Sequence, residues 1–147
     1  MLKVGNKVPN FSGIDQHNNK VDFMNFKNKK LIVFFYPKAN TPGCTAQACD
    51  LRDHYAELNK SGYSIIGVSS DSVKRQLSFS NKFNFPFSLL ADENRDIIDI
   101  FGVWGPKKFM GKEYEGINRI TFIINKEGII ERVIDKVTTK DHASQIL

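Results

Sequence analysis

Cys44 and Cys49 are the two cysteines of this 147-residue chain, five positions apart in Pro37-Lys-Ala-Asn-Thr41-Pro42-Gly43-Cys44-Thr-Ala-Gln47-Ala-Cys49. A thiol with a second thiol close by can act as a nucleophile, take up an oxygen atom and have its oxidised sulfur captured as a disulfide. The reactive form is the thiolate, so the surroundings of each sulfur decide its part. Leu31 to Tyr36 is a continuous apolar run of strand type, whereas Ala48, Leu51, Tyr55 and Leu58 recur at helical spacing. A strand therefore runs into a helix, and the cysteines fall just past the junction. Thr41 reads as the N-cap and Pro42 as the first helical residue, where a missing amide hydrogen costs nothing. Cys44 then occupies the third helical position. There the amides of Gly43 and Cys44 lack intrahelical acceptors, and the positive end of the helix dipole favours thiolate over thiol.

The spacing separates the two sulfurs. An ideal helix advances roughly 100° and about 1.5 Å per residue, so the offset amounts to about 140° and 7.5 Å. A disulfide needs Cα atoms within roughly 7 Å and converging side chains. An intact helix cannot bridge the pair, and a Cys44–Cys49 disulfide requires the first turns to unwind. Cys44 is expected on the apolar face with Ala48, Leu51 and Tyr55, and Cys49 toward Arg52.

Other readings of the same residues are blander. Cys49 taken alone reads as a small buried hydrophobe. Cys44 fits that reading poorly, because packing does not require Thr-Pro-Gly before it or a helix start around it. Zinc normally takes four ligands, often in close pairs, and only His17, His54 and His142 accompany the sulfurs, at scattered positions. The histidines are expected at the surface, with no metal and no cofactor. The four-residue spacer departs from the Cys-x-x-Cys pattern of disulfide reductases. A protein disulfide exchanger and a redox-inactive binding module remain the alternatives from other functional classes.

Pro37-x-x-x-Thr41-x-x-Cys44 is similar to the active-site motif of the peroxiredoxins. Phe35-Tyr-Pro-Lys, Asn40-Thr-Pro-Gly-Cys-Thr, Ala48-Cys49-Asp, Leu51-Arg-Asp, Phe101-Gly-Val-Trp-Gly and Arg119-Ile-Thr-Phe resemble the bacterioferritin comigratory protein, or peroxiredoxin Q, subfamily. The resemblance runs from about Val4 to the last residue. It implies a thiol-dependent peroxidase acting on hydrogen peroxide and organic hydroperoxides. By the same resemblance Cys44 is the peroxidatic nucleophile, Thr41 orients the peroxide, the Gly43 and Cys44 amides bind its oxygens, and Pro37 shields the pocket. Arg119 matches the family arginine that favours the thiolate and hydrogen-bonds substrate; on its own, an arginine before a strand reads as surface charge. Cys49 is implied as the resolving residue of an intramolecular disulfide, with thioredoxin as reductant. Gln47 stands where many members carry glutamate, and its carbonyl can still accept from the arginine. Trp104 is expected to be a packing anchor rather than a catalytic group.

Composition and patterning place these residues on one domain spanning 1–147. A chain of this length with 41% hydrophobic residues can bury one adequate core. The start, Met-Leu-Lys-Val-Gly-Asn, has no extended apolar stretch, and no run approaches the roughly 20 apolar residues of a membrane helix. A cytoplasmic protein is expected, without nucleic-acid or membrane partners, as a monomer or weak dimer. The net charge of +5 raises the question of a polyanion, but Lys27, Lys29 and Lys30 form the one tight cluster and read as solvated surface.

The elements read in one α/β order. Phe11 to Ile14 and Val21 to Phe23 form a short hairpin, Leu31 to Tyr36 a buried strand, and Pro42 to Lys60 the active-site helix. Tyr63 to Val68 is a strand, Asp71-Ser72 caps a helix to about Phe83, Phe87 to Leu90 is a strand and Asn94 to Phe101 a short helix. Asn118 to Ile124 and Ile129 to Ile134 flank an Asn125-Lys-Glu-Gly128 turn. This pattern predicts a thioredoxin-like α/β fold, a mixed sheet flanked by helices, with Cys44 at the sheet's edge. The family's C-terminal helix continues for several residues past the point matching Leu147, so either packing of Ile146 and Leu147 holds a shortened helix or the tail is missing from this sequence.

Overall fold

Residues 31–36 are fully buried, and their alternation divides the interior into two cores. They belong to β3 (Lys30–Phe35) and the residue after it. Successive side chains of a strand point to opposite faces. Leu31, Val33 and Phe35 enter one cluster with Val8, Phe11, Phe101 and Phe122. Ile32, Phe34 and Tyr36 enter the other with Cys44, Ala48, Leu51 and Phe79. Each such large apolar side chain contributes roughly 1.5–3 kcal/mol by leaving water.

The computed structural model describes residues 1–147. β3 pairs in parallel with β4 (Tyr63–Ser69), which pairs in parallel with β5 (Ser88–Ala91). On its other side it runs antiparallel to β8 (Thr121–Ile124), itself antiparallel to β9 (Ile130–Ile134). The sheet order is β5-β4-β3-β8-β9, so β3 is central. α1 (Pro42–Asp53), α3 (Val73–Phe83) and α5 (His142–Ile146) supply the Cys44-side core, and α4 (Asp96–Phe101) supplies the opposite one. Helices on both faces of a mixed sheet give the expected thioredoxin-like architecture. β1 (Ser12–Ile14) and β2 (Lys20–Asp22) form the small hairpin. No helix is long and apolar enough to cross a membrane.

Several details differ from the sequence expectation. The helix expected from Pro42 to Lys60 is interrupted at His54, where φ is −106° and ψ 14°, and resumes as α2 (Tyr55–Lys60). His54 Nδ1 lies 2.9 Å from the Asp50 carbonyl that also accepts the His54 amide, so the ring competes with the helix for one acceptor. A second hairpin, β6 (Trp104–Phe109) and β7 (Lys112–Ile117), was not expected. Its strands carry Gly105, Pro106, Gly116 and mostly exposed side chains, so no apolar alternation marks them. It turns through Met110 and Gly111, both with positive φ (50° and 79°), the backbone that tight two-residue hairpins need. Cys44 lies not at the sheet's edge but past the carboxyl end of its central strand, in the first turn of α1.

His142 is fully buried rather than at the surface. Gln145 Oε1 can only accept, so His142 Nδ1 donates to it (2.8 Å) and Nε2 accepts from the Thr121 hydroxyl (2.8 Å). Burial pushes its pKa below the usual imidazole value. The helix it opens has five residues and no cap from Asp141; instead Asp50 Oδ2 accepts the Ala143 amide at 2.8 Å. Ile146 packs in the core, whereas Leu147 is 51% exposed and adds little.

Candidate active site

The chain leaving β3 is anchored before it turns into α1. Asp71, expected to share in capping α3, points inward; Ser72 alone caps, accepting from the Arg75 amide at 3.2 Å. Asp71 Oδ2 accepts from the Ala39 amide and the Ser69 hydroxyl, each at 2.7 Å. Below it, the Tyr36 hydroxyl donates to Gln76 Oε1, and Gln76 Nε2 donates to Ser69 Oγ and the Leu90 carbonyl, both at 2.9 Å. Burial raises the pKa of Tyr36 far above the phenol value, so it stays a donor. This network ties the ends of three strands to the loop that carries Pro37, half-buried, and Thr41. Asn40 makes the turn with φ of 67°, a left-handed conformation that asparagine tolerates.

Thr41 takes the N-cap backbone conformation, but its hydroxyl does not cap the helix. It donates to the Lys38 carbonyl at 2.8 Å, leaving its lone pairs free. Pro42 is the first helical residue, and the Thr45 amide makes the first helical bond to the Thr41 carbonyl at 2.8 Å. The amides of Gly43 and Cys44 donate to no protein acceptor. A threonine turned outward thus leaves two donors beside the sulfur for a ligand.

Cys44 is 1% exposed. Arg119 Nη2 lies 3.3 Å from Cys44 Sγ, and Arg119 Nη1 donates to Gln47 Oε1 at 2.8 Å. Pairing places the arginine there: the Phe35 amide donates to the Ile120 carbonyl at 3.0 Å, which holds residue 119 at the carboxyl end of β3. Gly43 allows the approach, because a Cβ at this position would meet Arg119 Nη2 at 3.1 Å. Gln47 is fully buried, and with its carbonyl committed to Arg119 its Nε2 has no partner. Such a donor costs about 1–3 kcal/mol if left unbonded.

Cys49 is a free, half-buried thiol on the same helix, on the Arg52 side as expected. Burial raises its pKa and the nearby Arg52 charge partly offsets this. The structure therefore brings Thr41, Gly43, Cys44, Gln47 and Arg119 together and sets Cys49 apart from them. No three His, Cys, Asp or Glu side chains converge in a group that could hold a metal. Lys107 was not anticipated. Its ammonium donates to the Ile117 carbonyl at 2.7 Å, and its pKa is lowered by burial and by the neighbouring Arg119 charge. It belongs to the hairpin that no local pattern announced. Trp104 is half-buried against the core and stacks under Arg95 at 4.3 Å, a packing position.

Residues 4–133 match the model of the AhpC/TSA family. Over 146 residues the chain is 45% identical to peroxiredoxin Bcp of Escherichia coli, covering 99% of this chain and 94% of that protein. Peroxiredoxin Bcp of Bacillus subtilis is 41% identical with 99% and 93% coverage. Among solved structures, peroxidoxin BcpB of Mycobacterium tuberculosis superposes with a TM-score of 0.87 at 31% identity, covering 99% of this chain and 94% of that one. Xylella fastidiosa PrxQ gives a TM-score of 0.93 at 26% identity, with 99% and 93% coverage. Sequence and fold agree along nearly the whole length: the chain belongs to the AhpC/TSA family, among its Bcp-type peroxiredoxins, and is a thiol-dependent peroxidase.

Proposed function

We propose that Cys44 is the peroxidatic nucleophile and that the residues around it form the peroxide site. The carrying observation is the Arg119 guanidinium 3.3 Å from Cys44 Sγ. A guanidinium has only donors, so at this distance it presents an N–H and its positive edge to the attacking sulfur. The thiolate attacks one oxygen of a hydroperoxide. An S–O bond forms, the O–O bond breaks, and its electron pair leaves on the other oxygen, which takes a proton to become water or an alcohol. The unbonded Gly43 and Cys44 amides and Arg119 receive the charge that moves onto oxygen. Thr41 Oγ accepts from the substrate O–H, since its own proton goes to Lys38. Pro37 limits water at the pocket.

In the second step Cys49 thiolate attacks the Cys44 sulfenic sulfur. The S–S bond forms and hydroxide leaves, protonated to water. The cysteines stand on one intact helix, so this step follows unwinding of the first turns of α1. A thioredoxin-type dithiol then reduces the disulfide. We place the cycle in the cytosol, where a disulfide persists only transiently.

The test is intact-mass analysis after one equivalent of hydrogen peroxide. Wild type is expected to lose two mass units as a disulfide and Cys49→Ser to gain one oxygen on Cys44. Modification of Cys49 alone, or no mass change in a folded sample, contradicts the assignment.

A further inference from the structure

The lysines of the 27–30 segment do not remain one cluster. Lys30 places its ammonium 4.2 Å from the centroid of the Tyr63 ring. Lys27 and Lys29 instead border a cavity of about 490 Å³, together with Lys7 and Lys126 from two other parts of the chain. Its interior is apolar. Val8, Leu31 and Ile124, each 4% exposed or less, underlie it, and Phe23 and Phe26 of the short 3₁₀ turn (Phe23–Phe26) wall it.

The frame around the cavity is held by backbone bonds. The Val8 amide donates to the Gly128 carbonyl at 2.9 Å, and Asn125 Oδ1 accepts from the amides of Glu127 and Ile129, both at 3.0 Å. Gly128 takes φ of 78°, a left-handed backbone that strains any other residue, and the Phe23 ring lies in ordinary contact range of it, 3.8 Å from where a Cβ would stand. The volume falls within the roughly 300–1,000 Å³ of small-molecule sites, which combine apolar walls with a few polar groups.

Charge selects the occupant. Four lysines and one carboxylate, Glu127, line the cavity. None of the four lysines takes part in a salt bridge. Their stems cover apolar surface while their ammonium groups remain available at the rim. The cavity opens at the amino end of β3, whereas Cys44 lies past its carboxyl end, and Leu31 to Phe35 alone spans about 13 Å. An occupant here leaves the peroxide site free.

We propose that this cavity is a second binding site, separate from the Cys44 site, for an amphipathic organic anion. An apolar ring or short chain seats against Phe23 and Phe26, and a sulfonate, phosphate or carboxylate head is held by the surrounding lysines.

The test uses 8-anilinonaphthalene-1-sulfonate as the anionic probe and N-phenyl-1-naphthylamine as its uncharged counterpart, titrated into the full chain and followed by calorimetry and amide NMR. The expected result is one saturable site for the anion, with shifts concentrated at residues 23–29 and 125–128. The uncharged probe binds at least about tenfold more weakly, a difference of 1.4 kcal/mol. Lys27→Glu combined with Lys29→Glu lowers anion affinity by a similar factor and leaves peroxide consumption unchanged. Absence of saturable anion binding, equal affinity for the two probes, or shifts centred on Cys44 or on Phe109 and Met110 overturns the proposal. The two-probe comparison stands on the unaltered protein, so it decides even if the charge-reversed variant folds poorly.

Discussion

Arg119 and Cys44, 75 residues apart in sequence, meet at 3.3 Å because the Phe35–Ile120 bond brings the start of β8 to the end of β3. One guanidinium edge faces the sulfur and the other is fixed by Gln47 Oε1. The arginine is thereby aimed before substrate arrives, which is the condition for electrostatic stabilisation without reorganisation.

Removing that guanidinium should slow the first chemical step. Arg119→Ala is expected to lower the rate of Cys44 oxidation by roughly 100-fold, the scale of losing one preorganised donor. Arg119→Lys should restore little, since an ammonium cannot span Cys44 and Gln47 together. Stopped-flow measurement of sulfenic acid formation reads the effect; an unchanged rate in Arg119→Ala removes the residue from the site.

Cys49→Ser should react once and stall. With thioredoxin and its reductase present, a burst of about one equivalent is expected, followed by no sustained turnover. Hydrogen exchange adds a second reading on the wild type: amides of residues 45–49 should lose protection when the disulfide forms, because the intact helix cannot contain it. Sustained thioredoxin-coupled turnover by the serine variant, or equal protection in both redox states, contradicts the resolving step.

Asp71 should matter for both stability and rate, although it touches neither sulfur. Asp71→Ala leaves the Ala39 amide without its 2.7 Å acceptor and frees the loop carrying Thr41. A loss of about 1–3 kcal/mol is expected in denaturant unfolding, together with a slower Cys44 oxidation. A stability equal to wild type contradicts the anchoring role.

Buried His142 should make the fold acid-sensitive. Its folded-state pKa is lowered by burial, so between that value and the ordinary imidazole value the unfolded chain binds the extra proton. Its contribution to stability is full above the ordinary value and is lost as pH falls through this window. His54 shifts upward through its hydrogen bond to the Asp50 carbonyl and acts in the opposite sense, but its ring is more exposed and screened. The thermal midpoint should fall as pH drops from about 7 to 5, with a shallower slope in His142→Gln. A steeper or identical slope in that variant contradicts the assignment.

Much of this architecture could be read from local pattern. The apolar run to Tyr36, proline at the helix start and recurrence at Ala48 and Leu51 placed Cys44 at the third helical position of α1. What escaped was non-local or weakly patterned. A serine and an aspartate before α3 looked alike as caps, and only the fold shows that Asp71 turns to the Ala39 amide. His142 looked like any polar residue near a terminus, because its partners, Thr121 and Gln145, are chosen by packing. Trp104–Ile117 lacked apolar alternation because that hairpin stands mostly in solvent, so Lys107 beside Arg119 had no local signal. The Arg119 position came from family resemblance rather than from spacing, and pairing along β3 supplies its physical reason.

The measurement that bears most directly on the central claim is peroxide-dependent NADPH oxidation with thioredoxin and its reductase, comparing wild type with Cys44→Ser. Sustained turnover by the wild type and none above background by the variant is the predicted result. Comparable turnover by a folded Cys44→Ser protein contradicts the claim that Cys44 carries the peroxidase reaction.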